Sequence, residues 1–278
     1  MSRRRSAPIG VFDSGIGGLT VARELLRQLP GERLIYLGDT ARTPYGNKSP
    51  DSLVRFALET GSFLAKKGVK LLVVACNSSS AYSLPALRKH LDIPVVGVIL
   101  AGARAAVGRH HGQRIGVIGT QATVRSGAYQ RAIHELEPTA KVSALACPLF
   151  VPLVEEGLAA DTLAAQAAKR YLEPLKRQGV HTVVLGCTHY PLLKPVLRKV
   201  LGKKIALVDS ARETAREVAE LLQATGLANP AKKMAFKEHR FFVTDYPEPF
   251  AVLGARFLGQ RLPHVKKAVL PELKRVRA

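Results

Sequence analysis

The sequence predicts an α/β protein made of two pseudo-symmetric domains, each with a mainly parallel sheet flanked by helices. Short apolar runs rich in β-branched residues alternate along the chain with longer amphipathic segments. Continuous apolar strands separated by helices are typical of parallel sheets that are covered on both faces. The length of 278 residues exceeds the usual size of a single core, so two domains are expected.

The predicted elements follow in order along the chain. Each predicted strand is a run of four or five mostly apolar residues bounded by glycine or polar turn residues. The predicted strands are residues 9–12, 34–37, 71–75, 95–98, 115–118, 182–185, 205–208 and 240–243. The predicted helices are residues 19–28, 51–67, 79–90, 123–135, 159–178 and 211–225.

A weak internal repeat supports two similar domains. The tripeptide Ile-Gly-Val begins one half at Ile9 and the other at Ile115. An apolar strand then ends at Cys76 in the first half and at Cys187 in the second. Coincidence is the alternative explanation, because Val-Val runs are common in parallel sheets. If the two halves face one another, both cysteines reach a shared interdomain cleft, where we expect the active site.

The charge of the chain is strongly positive. It has 42 lysines and arginines against 21 aspartates and glutamates, and a formal net charge of +21. Such a balance raises nucleic acid as a partner. However, residues 3–5, 231–240 and 261–278 hold more than half of the excess, and short runs of this kind are usually solvated. Without a recognisable nucleic-acid motif, a basic nucleic-acid-binding protein is the alternative from another class, with only weak association at low salt.

The cysteine pattern and the N-terminus indicate a cytoplasmic protein. Cys76, Cys147 and Cys187 are too few and too widely spaced for the disulfide framework of a small secreted domain. The N-terminal Met-Ser-Arg-Arg-Arg leads into a strand rather than into the apolar core of a signal peptide. No apolar stretch approaches the roughly 18 residues that cross a bilayer, so no membrane contact is expected.

Polar residues follow several predicted strands, where the ligands of open α/β sheets bind. The glycine-rich loop 13–18 follows the first strand, but it lacks the third glycine of the dinucleotide fingerprint. Free N–H groups at the start of the next helix favour an anion, either a carboxylate or a phosphate. The simplest structural interpretation is a turn that needs positive φ, with Asp13 or Ser14 capping the helix.

Two of the cysteines have positions that suit chemistry. Cys147 lies in an apolar run and is assigned to packing. Cys76 and Cys187 each end a strand before a helix-starting segment, where a helix terminus and a nearby cation can lower the thiol pKa. Zinc binding fits poorly, because Cys187 and His189 at i, i+2 rarely match a structural site. Cysteine hydrolysis leaves the second thiol idle, whereas two opposed thiols suit the two-base inversion of a stereocentre.

An ordered set of motifs makes this interpretation specific. The motifs are GVFDSGIGGL at 10–19, PYG at 44–46, ACNSSS at 75–80, PLVE at 152–155 and GCTHYP at 186–191. On these residues, the sequence from about 8 to about 260 resembles the cofactor-independent aspartate/glutamate racemase superfamily, and within it the enzymes specific for glutamate. The family usually has Thr where this chain has Ser78, and a hydroxyl donor remains.

The resemblance implies an isomerase that interconverts L- and D-glutamate without a cofactor and supplies D-glutamate for peptidoglycan. Aspartate or another amino acid is the alternative substrate within the superfamily. The resemblance also implies a homodimer. It further implies interleaved domains, with 1–97 plus 210–278 on the Cys76 side and 98–209 on the Cys187 side.

The same resemblance assigns roles residue by residue. Cys76 and Cys187 are the expected acid and base on opposite faces of the substrate Cα, assisted by Asp13 and His189. For His189 taken alone, a loop histidine hydrogen-bonded to the backbone is the alternative. No metal ligand is expected. The expected substrate-binding residues are Asp13, Ser14, Tyr45, Gly46, Asn77, Ser78, Thr188 and His189, with Thr120, Thr123 and Glu155 as further contributors.

Overall fold

Two parallel sheets flanked by helices form the protein. The computed structural model describes residues 2–109, 112, 114–262 and 264–272. The strands are β1 (Ile9–Asp13), β2 (Leu34–Gly38), β3 (Leu71–Val74), β4 (Val95–Gly97), β5 (Arg114–Gly119), β6 (Val142–Ala146), β7 (Val180–Gly186), β8 (Ala206–Asp209), β9 (Arg240–Val243) and β10 (Val265–Lys267). Within the described residues, the first sheet has the order β10-β9-β2-β1-β3-β4 and the second β6-β5-β7-β8. All neighbouring strands in both sheets are parallel.

Helices connect the strands and cover the sheets. They are α1 (Ser2–Arg5), α2 (Leu19–Gln28), α3 (Pro50–Lys66), α4 (Asn77–His90), α5 (Val98–Val107), α6 (Gln121–Arg125), α7 (Ala128–Leu136), α8 (Phe150–Glu155), α9 (Thr162–Arg177), α10 (Lys194–Leu201), α11 (Ser210–Ala224) and α12 (Pro247–Leu258). Short 3₁₀ turns lie at Tyr45–Asn47, Tyr190–Leu193 and Phe236–Glu238.

The sequence explains where these elements form. Every residue of β1, β2 and β3 is buried, as expected for central strands of a sheet that is covered on both faces. Helix α3 begins where Ser49 caps the backbone N–H of Ser52 and Pro50 occupies the first helical position. Asp161 caps α9 in the same way, through the N–H of Leu163 at 2.8 Å.

The predicted fold class of α/β with parallel sheets is confirmed. Each of the eight predicted strands is present, with bounds that differ by at most two residues. The single helix predicted over 123–135 is wrong, because the chain forms α6 and α7 instead. Gly127, the cap residue directly before α7, has a φ of 63°, and this left-handed conformation, which suits glycine, separates the two helices.

Other elements escaped the sequence analysis. Strand β6 is an edge strand with no fully buried residue, and β10 has only three residues, two of them lysines, so neither has a clear strand pattern. Helix α5 is apolar nearly all round and lacks the periodic stripe of a surface helix. Residues 263 and 273–278 of the charged segment 261–278 lie outside the described residues.

The carboxyl ends of the two sheets meet, which decides where a site can lie. One continuous hydrophobic core includes Val73 of β3 and Val183 of β7. The hydroxyl of Thr20 in α2 donates to the carbonyl of Thr188, just after β7, at 2.9 Å. The loops that follow β1 and β7 are therefore in contact. Among the described residues, no helix combines the length and the apolar character needed to cross a bilayer.

Candidate active site

A cavity of about 330 Å³ lies where the loops of the two sheets meet. The predicted site residues that line it are Ser14, Tyr45, Gly46, Cys76, Asn77, Ser78, Thr120, Glu155, Cys187, Thr188 and His189. Both candidate cysteines therefore face one cavity, each from a different sheet. Asp13 and Thr123 are not part of the lining. Further lining residues, to which the sequence analysis gave no role, are Thr43, Pro44, Asn47, Gln121, Pro148, Val151 and Pro152.

Cys76 lies between β3 and α4, where it is the cap residue of the helix, and it is 6% exposed. Burial and the nearby Asp13 carboxylate raise the pKa of the Cys76 thiol to about 12, against hydrogen bonds from the Ser79 N–H and the Ser14 hydroxyl. The sequence suggests that the helix terminus lowers the thiol pKa, and this expectation is wrong for Cys76. Burial of the sulfur away from water destabilises the thiolate more than the start of α4 stabilises it. At neutral pH, Cys76 is a thiol and can donate a proton.

Asp13 ends β1 and is fully buried behind the wall of the cavity. Its Oδ2 accepts the N–H of Gly15 at 3.1 Å, and the Gly18 N–H also binds the carboxylate. Burial raises the pKa of Asp13 above its usual value. Oδ1 is buried without a hydrogen-bond partner. Asp13 thus has one acceptor oxygen free for a proton near Cys76.

The glycines of loop 13–18 have a different purpose from the one predicted. None of them has positive φ, and the cap residue of α2 is Gly18 rather than Asp13 or Ser14. A Cβ at Gly17 would lie 2.3 Å from Thr188 Oγ1 and 2.5 Å from His189 Nδ1. Gly17 is therefore required for close approach of the loop after β7, and the positive-φ interpretation is wrong.

Cys187, His189 and Glu155 form a connected group on the other side of the cavity. His189 Nδ1 lies 3.9 Å from Cys187 Sγ, and Nε2 lies 2.8 Å from Glu155 Oε1. Burial alone would lower the pKa of His189, but the hydrogen bonds to Cys187 and Glu155 outweigh it and raise the pKa to about 10. His189 is therefore an imidazolium that faces a sulfur, and its ring does not bond the backbone as the alternative interpretation had it.

Three hydroxyls join the two sheets at the edge of the cavity. Ser78 Oγ in α4 lies 2.8 Å from Thr120 Oγ1 and 3.4 Å from Thr123 Oγ1. Thr120 also caps α6 through the N–H of Thr123 at 3.2 Å. Ser78 thus keeps a hydroxyl contact across the sheets although the family usually has Thr there. Thr123 does not line the cavity, and its hydroxyl contacts two residues that do, Ser78 and Thr120.

The loop that carries Tyr45 and Gly46 closes a third side. Tyr45 is 1% exposed, donates its hydroxyl to the Asp39 carboxylate and packs on Phe56 with ring centroids 5.4 Å apart. A Cβ at Gly46 would lie 2.9 Å from Thr120 Cβ, so the loop presses closely on the second sheet. Its backbone is therefore rigidly placed at the cavity.

The free polar groups of the cavity favour an anion. Helix α4 begins directly after Cys76, and the N–H groups of Asn77 and Ser78 in its first turn lack partners within the helix. Asn77 lines the cavity, and its Nδ2 donor is buried without a hydrogen-bond partner. A substrate carboxylate would accept from these donors. Among the residues that the structure describes, no group of three or more His, Cys, Asp or Glu is placed to hold a metal ion.

Each of the two parallel sheets has a strand that leads to a cysteine, and both cysteines line one cavity. This arrangement is the one expected of a two-base racemase. A family model described as Asp/Glu/Hydantoin racemase matches residues 9–218, and the chain belongs to this family. A glutamate racemase of Geobacter metallireducens is 52% identical over 262 residues, which are 94% of this chain and 96% of the relative.

Solved structures agree with this assignment. A glutamate racemase isoform of Bacillus anthracis superposes with a TM-score of 0.92 at 42% identity, covering 96% of this chain and 99% of that one. The glutamate racemase of Francisella tularensis in complex with D-glutamate gives a TM-score of 0.89 at 38% identity, covering 95% and 98%.

The glycine contact provides a first test. We expect Gly17→Ala to lower kcat/KM for racemisation by about 100-fold or more, because the new methyl group displaces Thr188 and His189. Gly15→Ala is the matched control, since its Cβ would meet nothing closer than 3.5 Å. Steady-state assays on both variants check this, and equal losses in the two would contradict the close-approach argument.

The raised thiol pKa of Cys76 provides a second test. Only the thiolate is alkylated, so the rate of Cys76 modification by iodoacetamide should rise about tenfold per pH unit between pH 6.5 and 9.5. Peptide mapping by mass spectrometry measures this rate. Asp13→Asn removes a negative charge and should accelerate the reaction. A plateau below pH 8 would show that Cys76 is already a thiolate there.

Proposed function

We propose that this protein is a glutamate racemase in which Cys76 and Cys187 act as acid and base. The shared cavity with one cysteine from each sheet carries this proposal. The substrate follows from the relatives, which include the glutamate racemase of Geobacter metallireducens at 52% identity. The proposed product, D-glutamate, would supply peptidoglycan synthesis in the cytoplasm, where free thiols such as these three persist.

The two thiols exchange one proton for another. A thiolate on one side removes the proton from the substrate Cα and becomes a thiol. The opposite thiol then donates its proton to the other face of Cα and becomes a thiolate, so the configuration is inverted and the two cysteines have swapped states. The His189 imidazolium can donate a proton to Cys187. On the other side, Asp13 lies near Cys76 and can accept the proton of its thiol or return it.

Stabilising the deprotonated substrate is the main difficulty of this chemistry. The Cα–H of an amino acid is a far weaker acid than a thiol, and negative charge develops on the α-carboxylate as the proton leaves. The proposed donors to that carboxylate are the side chains of Asn77, Ser78 and Thr188 with the N–H groups that begin α4. Donors that are preorganised in a buried cavity stabilise developing charge better than water does.

Domain organisation is part of the proposal. We place 1–97 plus 210–278 in one domain and 98–209 in the other, with the active site in the cleft between them. The sheets support this division, because the first uses strands before residue 98 and after residue 239, and the second uses only strands between 114 and 209.

Replacement of each cysteine tests the mechanism. Cys76→Ser and Cys187→Ser should each abolish racemisation, because one face of Cα then lacks its acid or base. Each variant should still exchange the Cα proton of one glutamate enantiomer for solvent deuterium. The enantiomer that exchanges should differ between the two variants, because each keeps the cysteine on a different face of Cα. Chiral chromatography with proton NMR measures both effects, and a panel of enantiomers separates glutamate from aspartate. Normal racemisation by the double serine variant would exclude the two-thiol mechanism.

We also propose a homodimer. Leu149, the cap residue of α8, and Leu163, in the first turn of α9, are 55% and 53% exposed, and the two helices are in contact. Exposed leucines grouped in this way are typical of interfaces. In sedimentation equilibrium, the double variant Leu149→Glu, Leu163→Glu should be monomeric. Val252→Glu, at a still more exposed site on α12, should leave the dimer intact. A monomeric unmodified protein at micromolar concentration would contradict the proposal.

A weak association with nucleic acid at low salt is the second candidate. Residues 162–204 contain nine lysines and arginines against Glu173 alone. Several of these cations are exposed on α9, on α10 and just after α10, and Glu173 is already paired with Arg177. We name this surface the α9–α10 basic face. It favours binding to a phosphate backbone without sequence preference.

Charge reversal tests the α9–α10 basic face. Changing Arg198, Lys199, Lys203 and Lys204 to Glu should abolish binding of a fluorescent duplex at low salt, and unmodified protein should lose affinity steeply as salt rises. The matched control changes Lys232, Lys233, Lys237 and Arg240 to Glu, an equal alteration of net charge elsewhere. Equal losses in the two variants, measured by anisotropy, would mean that net charge and not this face is responsible.

A further inference from the structure

We propose that Tyr129 is a positioning residue for the racemase reaction, which it serves by fixing the Asn77 side-chain amide with its NH₂ group toward the substrate. The proposal rests on the proposed glutamate racemase function. Tyr129 is outside the cavity lining and lies in α7, on the side of the second sheet, whereas Asn77 begins α4 beside Cys76.

The two ends of the Asn77 amide have different surroundings. Asn77 is 3% exposed, and its Oδ1 accepts a hydrogen bond from the Tyr129 hydroxyl at 2.8 Å. Its Nδ2 is buried and has no hydrogen-bond partner. Because Asn77 lines the cavity, a substrate carboxylate is the acceptor that this free donor lacks. A buried donor without an acceptor is costly, so its presence points to a ligand.

The orientation of the amide decides whether it helps or hinders. With Oδ1 held by Tyr129, the cavity receives a donor. A flipped amide would turn the oxygen toward the substrate carboxylate, which repels it, and would leave the Tyr129 proton without its acceptor. A hydroxyl that donates to Oδ1 therefore selects the productive amide orientation before substrate arrives.

The Tyr129 ring is itself held by backbone. A Cβ at Gly102 would lie 3.1 Å from Tyr129 Cε1, and one at Gly186 would lie 3.1 Å from Cε2, so the ring is seated between two glycines. Tyr129 is 1% exposed. Gly186 directly precedes Cys187, and Asn77 directly follows Cys76. Tyr129 thereby sets the Asn77 amide relative to the opposite cysteine.

A double-mutant cycle tests this role. Tyr129→Phe keeps the ring and removes the hydroxyl, and we expect kcat/KM for glutamate to fall about tenfold, as the loss of one well-placed hydrogen bond would give. In an Asn77→Ala background, Tyr129→Phe should cause no further fall, because the group that it positions is gone. Circular dichroism follows racemisation in all four proteins, and thermal unfolding measures their stability separately.

Tyr190→Phe is the matched control. It also removes a fully buried tyrosine hydroxyl, one that donates to the carbonyls of Gly119 and Cys147. Any effect of Tyr190→Phe on kcat/KM should be the same factor with or without Asn77. If Tyr129→Phe also acts by the same factor in both backgrounds, or has no effect, the positioning role is excluded.

A second variant, Gly102→Ala, keeps the test possible if the Tyr129→Phe protein does not fold. Gly102→Ala places its methyl group against the ring and shifts the hydroxyl without deleting it. It should lower kcat/KM only when Asn77 is present, and an equal fall in both backgrounds would exclude the role. If the unmodified protein racemises glutamate while the cycle is additive, the inference alone fails. If the unmodified protein does not racemise glutamate, the proposed function fails.

Discussion

The close contact between Gly17 and the Thr188–His189 loop is the constraint on which the site depends. Only a hydrogen fits where the loop after β1 meets the loop after β7. The Thr20 hydroxyl adds a hydrogen bond to the Thr188 carbonyl at 2.9 Å. Because β1 lies next to β3, which leads to Cys76, and β7 leads to Cys187, this contact brings the two cysteines to one cavity. A side chain at position 17 would separate the two halves of the chemistry.

The two sides of the cavity are electrostatically unlike. Burial and Asp13 raise the pKa of the Cys76 thiol to about 12, which holds a proton on that sulfur. On the other side, Glu155 and Cys187 raise the pKa of His189 to about 10, which holds a cation beside the second sulfur. A two-base reaction needs one thiol and one thiolate at the same moment. The unequal surroundings of the two sulfurs keep a proton on Cys76 and place a cation beside Cys187, so the two sides of the cavity are not interchangeable.

Much of the fold could be predicted from the sequence because its strands are continuous apolar runs bounded by polar turns. The site could be located because polar residues such as Asn77 and Thr188 directly follow such runs. The raised pKa of Cys76 and the role of Gly17 could not, since both depend on atoms far away in the sequence. Tyr129 gave no signal either, because its position follows from the break at Gly127 and its partner is 52 residues away.

The first sheet is discontinuous in the chain, and this has a consequence for how the protein forms during synthesis. Strand β2 pairs with β9, which begins at residue 240, whereas every strand of the second sheet lies between residues 114 and 209. During synthesis on a ribosome, the second sheet can be completed before β9 has been made, so that one edge of β2 is still unpaired. That open edge is a template for pairing with another chain. The first sheet is therefore complete only after β9 and β10 have been synthesised, and it depends on residues that follow the whole second sheet in the chain.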